Sequence, residues 1–169
     1  MTYFPFAGNV TMNQLETQKE GIQLIRRVEG VARDIRYNAG RLNTFTGTTQ
    51  VSKRTHYHHL DQIKSLVNDG LRPALSRLQE IQPQLPEWKQ QSIGKMLDSA
   101  VALAADTNDA ILNKNDAGAV PPALNAKYKD LVTRIYAHAE NLVKISDAAG
   151  SYASARLKAA EAGVAVPHP

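Results

Sequence analysis

The apolar positions of this chain recur at alternating steps of three and four residues along most of its length. The clearest run lies in the last third and contains one polar residue: Leu124, Tyr128, Leu131, Ile135, His138, Leu142, Ile145, Ala149 and Tyr152. Such spacing places these side chains on one face of a helix that packs at a shallow angle against its neighbours. The pattern predicts a long helix with His138 in the middle of its buried face.

Four such segments alternate with short breaks that carry glycine or proline. They predict helices from about Met12 to Phe45, Val51 to Ile81, Glu87 to Asn113 and Pro122 to Ala162. No alternating run of β-branched residues bounded by turn signals, the mark of a strand, is present. Because short connections make consecutive long helices antiparallel, we expect an all-α, four-helix up-and-down bundle.

The chain length of 169 residues fits one domain. We expect a single bundle over 1–169, with 1–11 as an N-terminal arm and 163–169 as a C-terminal tail. The second helix contains Gly70 and Pro73. Because Pro73 has no N–H and crowds the carbonyl of Asp69, a kink is predicted near Pro73.

Composition narrows the classes of function. The absence of cysteine excludes disulfides, thiolate metal sites and a cysteine nucleophile. The net charge of +4 is spread along the chain, which favours a solvated surface over a specific nucleic-acid interface. No apolar run approaches the roughly 20 residues of a membrane span, so a soluble protein is expected. The start lacks signal-peptide features, which leaves open a cytoplasmic protein or an exported one whose signal is not in this sequence.

Polar residues on inner faces are the first candidates for a site. Measured along the antiparallel helices, His138 and Glu29 lie at about the same height, ~24 Å from the bundle end where the first helix finishes. This predicts a buried His–Glu pair that fixes helix register, since buried polar groups need partners. Met96 lies near that height too. The alternative is a small-ligand or haem site that uses His138, Glu29 and Met96.

A second candidate lies at the start of the second helix, where His56 and His59 share one face. Asp106 of the third helix is expected at a similar height. These three residues, His56, His59 and Asp106, predict either a polar end layer of the bundle or a zinc or copper site. The sequence contains no Glu-x-x-His pair, no P-loop and no nucleophile-elbow motif. No catalytic residue is therefore predicted.

These observations favour a non-enzymatic structural or interaction protein without a cofactor. The alternative is a bundle that binds a small ligand, haem or a metal through its histidines. A partner, or self-association, is expected to involve the aromatic N-terminal arm, whose residues are Tyr3, Phe4, Pro5 and Phe6. The arm either folds back over one bundle end or docks onto another chain.

Overall fold

A computed structural model describes residues 12–164, and this part of the chain is helical with no strand. The long helices are α1 (Met12–Phe45), α2 (Lys53–Ser65), α3 (Arg72–Ile81), α4 (Glu87–Asp116) and α5 (Ala126–Glu161). A π-helical segment (Leu66–Leu71) joins α2 to α3, so α2, this segment and α3 form one interrupted helix, hereafter the second helix. Two single 3₁₀ turns (Gln82–Gln84 and Pro122–Leu124) precede α4 and α5.

The all-α four-helix architecture is confirmed. α1 packs extensively on α5 and on the second helix, and α4 packs on α5. The second helix touches α4 only lightly, and α1 and α4 lie diagonally opposite. We call the end that carries Phe45, His56 and Tyr128 the histidine end, and the end that carries Ile81 and Trp88 the tryptophan end.

The predicted kink in the second helix is also confirmed, and its form is a π-helical turn. Pro73 offers no N–H to the carbonyl of Asp69, so the regular hydrogen-bond ladder cannot pass through this position. The helix widens in the turn before Pro73. The N–H of Arg72 bonds to the carbonyl of Val67, five residues back, and α-helix resumes at Arg72. Widened turns of this kind are frequent at functional sites.

Helix boundaries follow local capping. The side chain of Ser52 accepts a hydrogen bond from the N–H of Thr55, so α2 begins at Lys53 rather than Val51. The side chain of Asn125 accepts one from the N–H of Tyr128, so α5 begins at Ala126. The stretch from Pro122 that was predicted as helix is a 3₁₀ turn, and Leu124 is exposed.

The buried face of α5 differs from the predicted one by one residue in its central part. Ala139, not His138, occupies the core after Ile135, and the burial continues at Leu142, Ser146 and Ala153. A straight helix turns every 3.6 residues, whereas a strict three-four repeat averages 3.5 and drifts by about 20° per seven residues. His138 therefore lies on the flank of the buried face, with a third of its side chain exposed.

Candidate functional site

His138 faces α4 rather than α1. Its Nε2 lies 3.2 Å from Oδ2 of Asp106, and the other oxygen of Asp106 accepts a hydrogen bond of 2.7 Å from Arg134. Arg134 and His138 are four residues apart and so share one face of α5. Asp106 is buried, and the two α5 side chains surround it. The result is a three-residue polar bridge between α4 and α5.

The predicted Glu29–His138 pair does not form. Glu29 accepts hydrogen bonds from Arg26 at 2.7 Å and from Arg33 at 2.7 and 3.0 Å, all within α1. Burial raises the pKa of the Glu29 carboxyl, but the hydrogen bonds from Arg33 and Arg26 outweigh it and hold that pKa below its usual value. Glu29 and His138 lie at the edges of their buried faces, where each contacts a neighbouring charged side chain. A shared height along the bundle therefore does not bring them together.

Met96 does not join His138 either. Its side chain is fully buried in the core, ten residues before Asp106 on α4. At the rise of an α-helix this separates the two levels by about 15 Å. The three residues His138, Glu29 and Met96 are thus in three different environments.

The two histidines at the histidine end have separate partners. His56 is fully buried, with Nδ1 3.4 Å from the hydroxyl of Tyr128. Nδ1 of His59 lies 2.8 Å from Oδ1 of Asn38. The ring of Phe45 packs against both imidazoles, at 5.9 and 5.5 Å between centroids. This is an aromatic, hydrogen-bonded layer that closes the end of the core.

Burial lowers the pKa of His56, and the nearby His59 lowers it further. Burial also lowers the pKa of His59, with smaller effects from His58 and Arg41. Both rings are therefore held neutral at pH 7. The Nε2 atom of His56 is buried and has no hydrogen-bond partner in the part of the chain that the structure describes. The sequence did not predict that Tyr128 contacts His56. The only available signal was that a buried tyrosine hydroxyl usually has a hydrogen-bond partner.

The third member of the predicted metal site is elsewhere, since Asp106 is bound to Arg134 and His138. Within residues 12–164, no three His, Cys, Asp or Glu side chains are grouped so as to hold a metal ion. The aromatic arm from Tyr3 to Phe6 lies outside the described residues. In that same described part, no helix is both long and apolar enough to cross a membrane.

A groove that sequence analysis did not identify runs between the second helix and α4. One part, of about 280 Å³, has an apolar lining that includes Val67, Leu71, Leu75, Leu97, Ala100, Val101 and Ala104. A continuation of about 250 Å³ reaches Lys64, Asn68, Thr107, Asn108 and Ile111. It exists because the second helix packs closely on α1 and lightly on α4. We call this feature the α4 groove.

One sequence signal could have indicated the α4 groove. Beside its core positions, α4 carries a second apolar stripe of Leu97, Val101 and Ala104. Val101 is 69% exposed, whereas a helix that only packs into its own bundle keeps this flank polar.

No protein-family model, curated protein or solved structure matches the chain.

Proposed function

We propose that this protein is a non-enzymatic binding module that holds an amphipathic helix of a partner protein in the α4 groove. The observation that carries the proposal is the exposed apolar lining between two helices, with Val101 at its edge. Grooves of this kind receive the apolar face of a helix through side chains at positions i, i+3, i+4 and i+7.

The dimensions of the groove suit a helix of about four turns. Its lining extends from Lys64 to Gln79 on the second helix and from Leu97 to Ile111 on α4. At 1.5 Å per residue, both walls are about 21–23 Å long. This corresponds to a bound helix of roughly 15 residues.

The charge of the groove defines the chemistry of the partner. Its lining contains two cations, Arg72 and Lys64, and no carboxylate. Neither cation is engaged in an ion pair among the described residues. Ser76, Gln79 and Asn108 supply a neutral polar rim. The complementary partner is a helix whose apolar face is flanked by Asp or Glu, since opposite potentials favour encounter and register.

A displayed library of 16-residue peptides tests this proposal. Its members have a fixed helical apolar face and flanking positions varied among Glu, Lys and Gln. We expect selection on the protein to enrich Glu at the flanks. Selected peptides should lose at least tenfold in affinity for the Val101→Asp variant, because a charge would then lie in the apolar lining.

Leu124→Asp is the matched control, since Leu124 is 67% exposed and lies outside the groove. It should bind the selected peptides as the wild type does. Arg72→Glu should weaken Glu-flanked peptides and strengthen Lys-flanked ones. A selection without enrichment, or binders that Val101→Asp and Leu124→Asp affect equally, would refute the proposal.

A second candidate function, metal or haem binding, is favoured by one observation. The buried Nε2 of His56 has no hydrogen-bond partner among the described residues, and imidazole nitrogen is a common ligand of zinc, copper and haem iron. Titration with zinc, copper or haem tests it through the melting temperature. A saturable rise that His56→Leu abolishes would support this candidate, and an unchanged melting temperature would count against it.

A further inference from the structure

Four side chains meet at the tryptophan end, where α4 begins and α5 finishes. The rings of Trp88 and Tyr152 pack edge to face with 4.6 Å between centroids. Nζ of Lys89 lies 5.5 Å from the centroid of the Trp88 ring. Arg156 donates a hydrogen bond of 2.9 Å to the hydroxyl of Tyr152. Two cations and two aromatic rings thus occupy one corner of the bundle.

Lys89 is the most unusual of these residues because only 2% of it is exposed. Lysine is almost never buried to this extent without an anionic partner. Among residues 12–164, no carboxylate pairs with its ammonium. Burial and, as the smaller effect, the positive charge of Arg156 together lower the pKa of Lys89 to about 8. An anion beside the ammonium would offset both effects.

Trp88 adds a second unmatched group. Its indole Nε1 is buried, and residues 12–164 supply it with no acceptor. The start of α4 also lies here. The N–H groups of Lys89 and Gln90 bond to the carbonyl of Pro86, whose side chain offers no acceptor to the remaining N–H groups of the first turn. The carboxylate of that turn, Glu87, is exposed and accepts a hydrogen bond from Gln91 instead. Among the described residues, the Trp88 indole and the Lys89 ammonium thus have no anionic acceptor.

A groove between α4 and α5 leads from solvent to Trp88. Its lining includes Trp88, Tyr152, Lys95 and Lys144, together with small and neutral polar residues, and it contains no carboxylate. Lys95 and Lys144 are the cations of this lining, and Lys144 also lies 3.8 Å from a carboxylate oxygen of Glu140. Their positive charge raises the local concentration of an anion.

We propose that this corner binds a small oxyanion, with the Lys89 ammonium as its ion-pair partner and the Trp88 indole N–H as a hydrogen-bond donor. The ligand class is a sulfate- or phosphate-like group or the carboxylate of a small molecule. An oxyanion satisfies both groups at once, because each of its oxygens accepts hydrogen bonds from charged and neutral donors. The site is separate from the α4 groove and does not depend on its function.

Trp88 is the sole tryptophan of the chain, so its fluorescence and its indole N–H resonance report on this corner alone. The full-length protein is titrated with sodium sulfate, sodium phosphate and sodium acetate, with ionic strength held constant by chloride. We expect a saturable fluorescence change and a downfield shift of the indole proton with at least one of the three. Sulfate or phosphate without acetate indicates a tetrahedral ligand, and acetate alone indicates a carboxylate.

The variant Lys89→Met keeps the length of the side chain and removes its charge, in a buried position that accepts an apolar group. It should weaken binding at least tenfold. The control Lys127→Met makes the same change on the exposed surface of α5 near the histidine end, and it should bind as the wild type does. If none of the three anions gives a saturable response, or if Lys89→Met binds as well as Lys127→Met, the proposed site is wrong.

Discussion

Gly70 lies in the π-helical segment of the second helix, against Val31 of α1. A Cβ atom added at this position would lie 2.8 Å from Cγ1 and 3.1 Å from Cγ2 of Val31. Real Cβ atoms do not approach carbon atoms so closely, and the β-branched valine has few other rotamers in a helix. Substitution Gly70→Ala should therefore push the two helices apart, next to the α4 groove.

The expected size of this effect comes from a comparison with Gly94. A Cβ atom at Gly94, in the interior of α4, would have no atom within 4 Å. Gly94→Ala should raise the free energy of unfolding by about 0.5–1 kcal/mol, the usual gain in a helix. At Gly70 the same gain is opposed by overpacking, which typically costs about 1–3 kcal/mol. The two variants should therefore differ by roughly 1–3 kcal/mol, with Gly70→Ala the less stable.

Urea unfolding followed by circular dichroism at 222 nm measures both variants. The double variant Gly70→Ala/Val31→Ala removes both methyl groups that clash, so it should recover about 1–2 kcal/mol relative to the sum of the single changes. If Gly70→Ala stabilises the protein as much as Gly94→Ala does, the close packing of the second helix on α1 is refuted.

Three further predictions concern charged and titratable groups. Glu29→Gln should lower the free energy of unfolding by about 1 kcal/mol in a urea titration, because it weakens charge-assisted hydrogen bonds from half-exposed Arg26 and Arg33; no change would contradict this. Lys89→Met should stabilise the protein by roughly 3 kcal/mol at pH 7 in chloride, since burial and Arg156 lower the pKa of Lys89 from 10.5 to about 8. Between pH 8 and the ordinary lysine pKa, the unfolded wild type binds more protons than the folded wild type, so the wild type gains stability as the pH rises. The stability advantage of Lys89→Met should therefore shrink through this window, and a constant advantage would contradict the prediction. The pKa of buried His56 is lowered, so the unfolded state binds more protons as the pH falls below about 6.5. Wild-type stability should therefore fall relative to His56→Leu between pH 7 and 5, and parallel curves would show that His56 does not titrate differently on unfolding.

The helices were predictable because local periodicity and capping agree with the tertiary packing. The helix interruption near Pro73 was predictable as well, since the missing N–H of proline acts locally. Its π-helical form was not, nor was the close approach of Gly70 to Val31, because that contact joins helices distant in the sequence.

The contacts of the candidate residues were less predictable than the helices. The Glu29–His138 expectation failed because a change of one residue in helical phase turns His138 from the core to Asp106. Height along a bundle gives the level of a residue but not the direction of its side chain. Similarly, the burial of Lys89 could not be read from a sequence in which lysine ordinarily marks the solvent face.

The α4 groove, the basis of the proposed function, is tested most directly by mapping where a selected acid-flanked peptide binds. Amide resonances of ¹⁵N-labelled protein are followed during titration with the peptide. We predict saturable shifts concentrated between Lys64 and Gln79 and between Leu97 and Ile111, the two walls of the groove. Shifts concentrated on the α1–α5 face instead, or no shifts at saturating peptide, would contradict the proposed function.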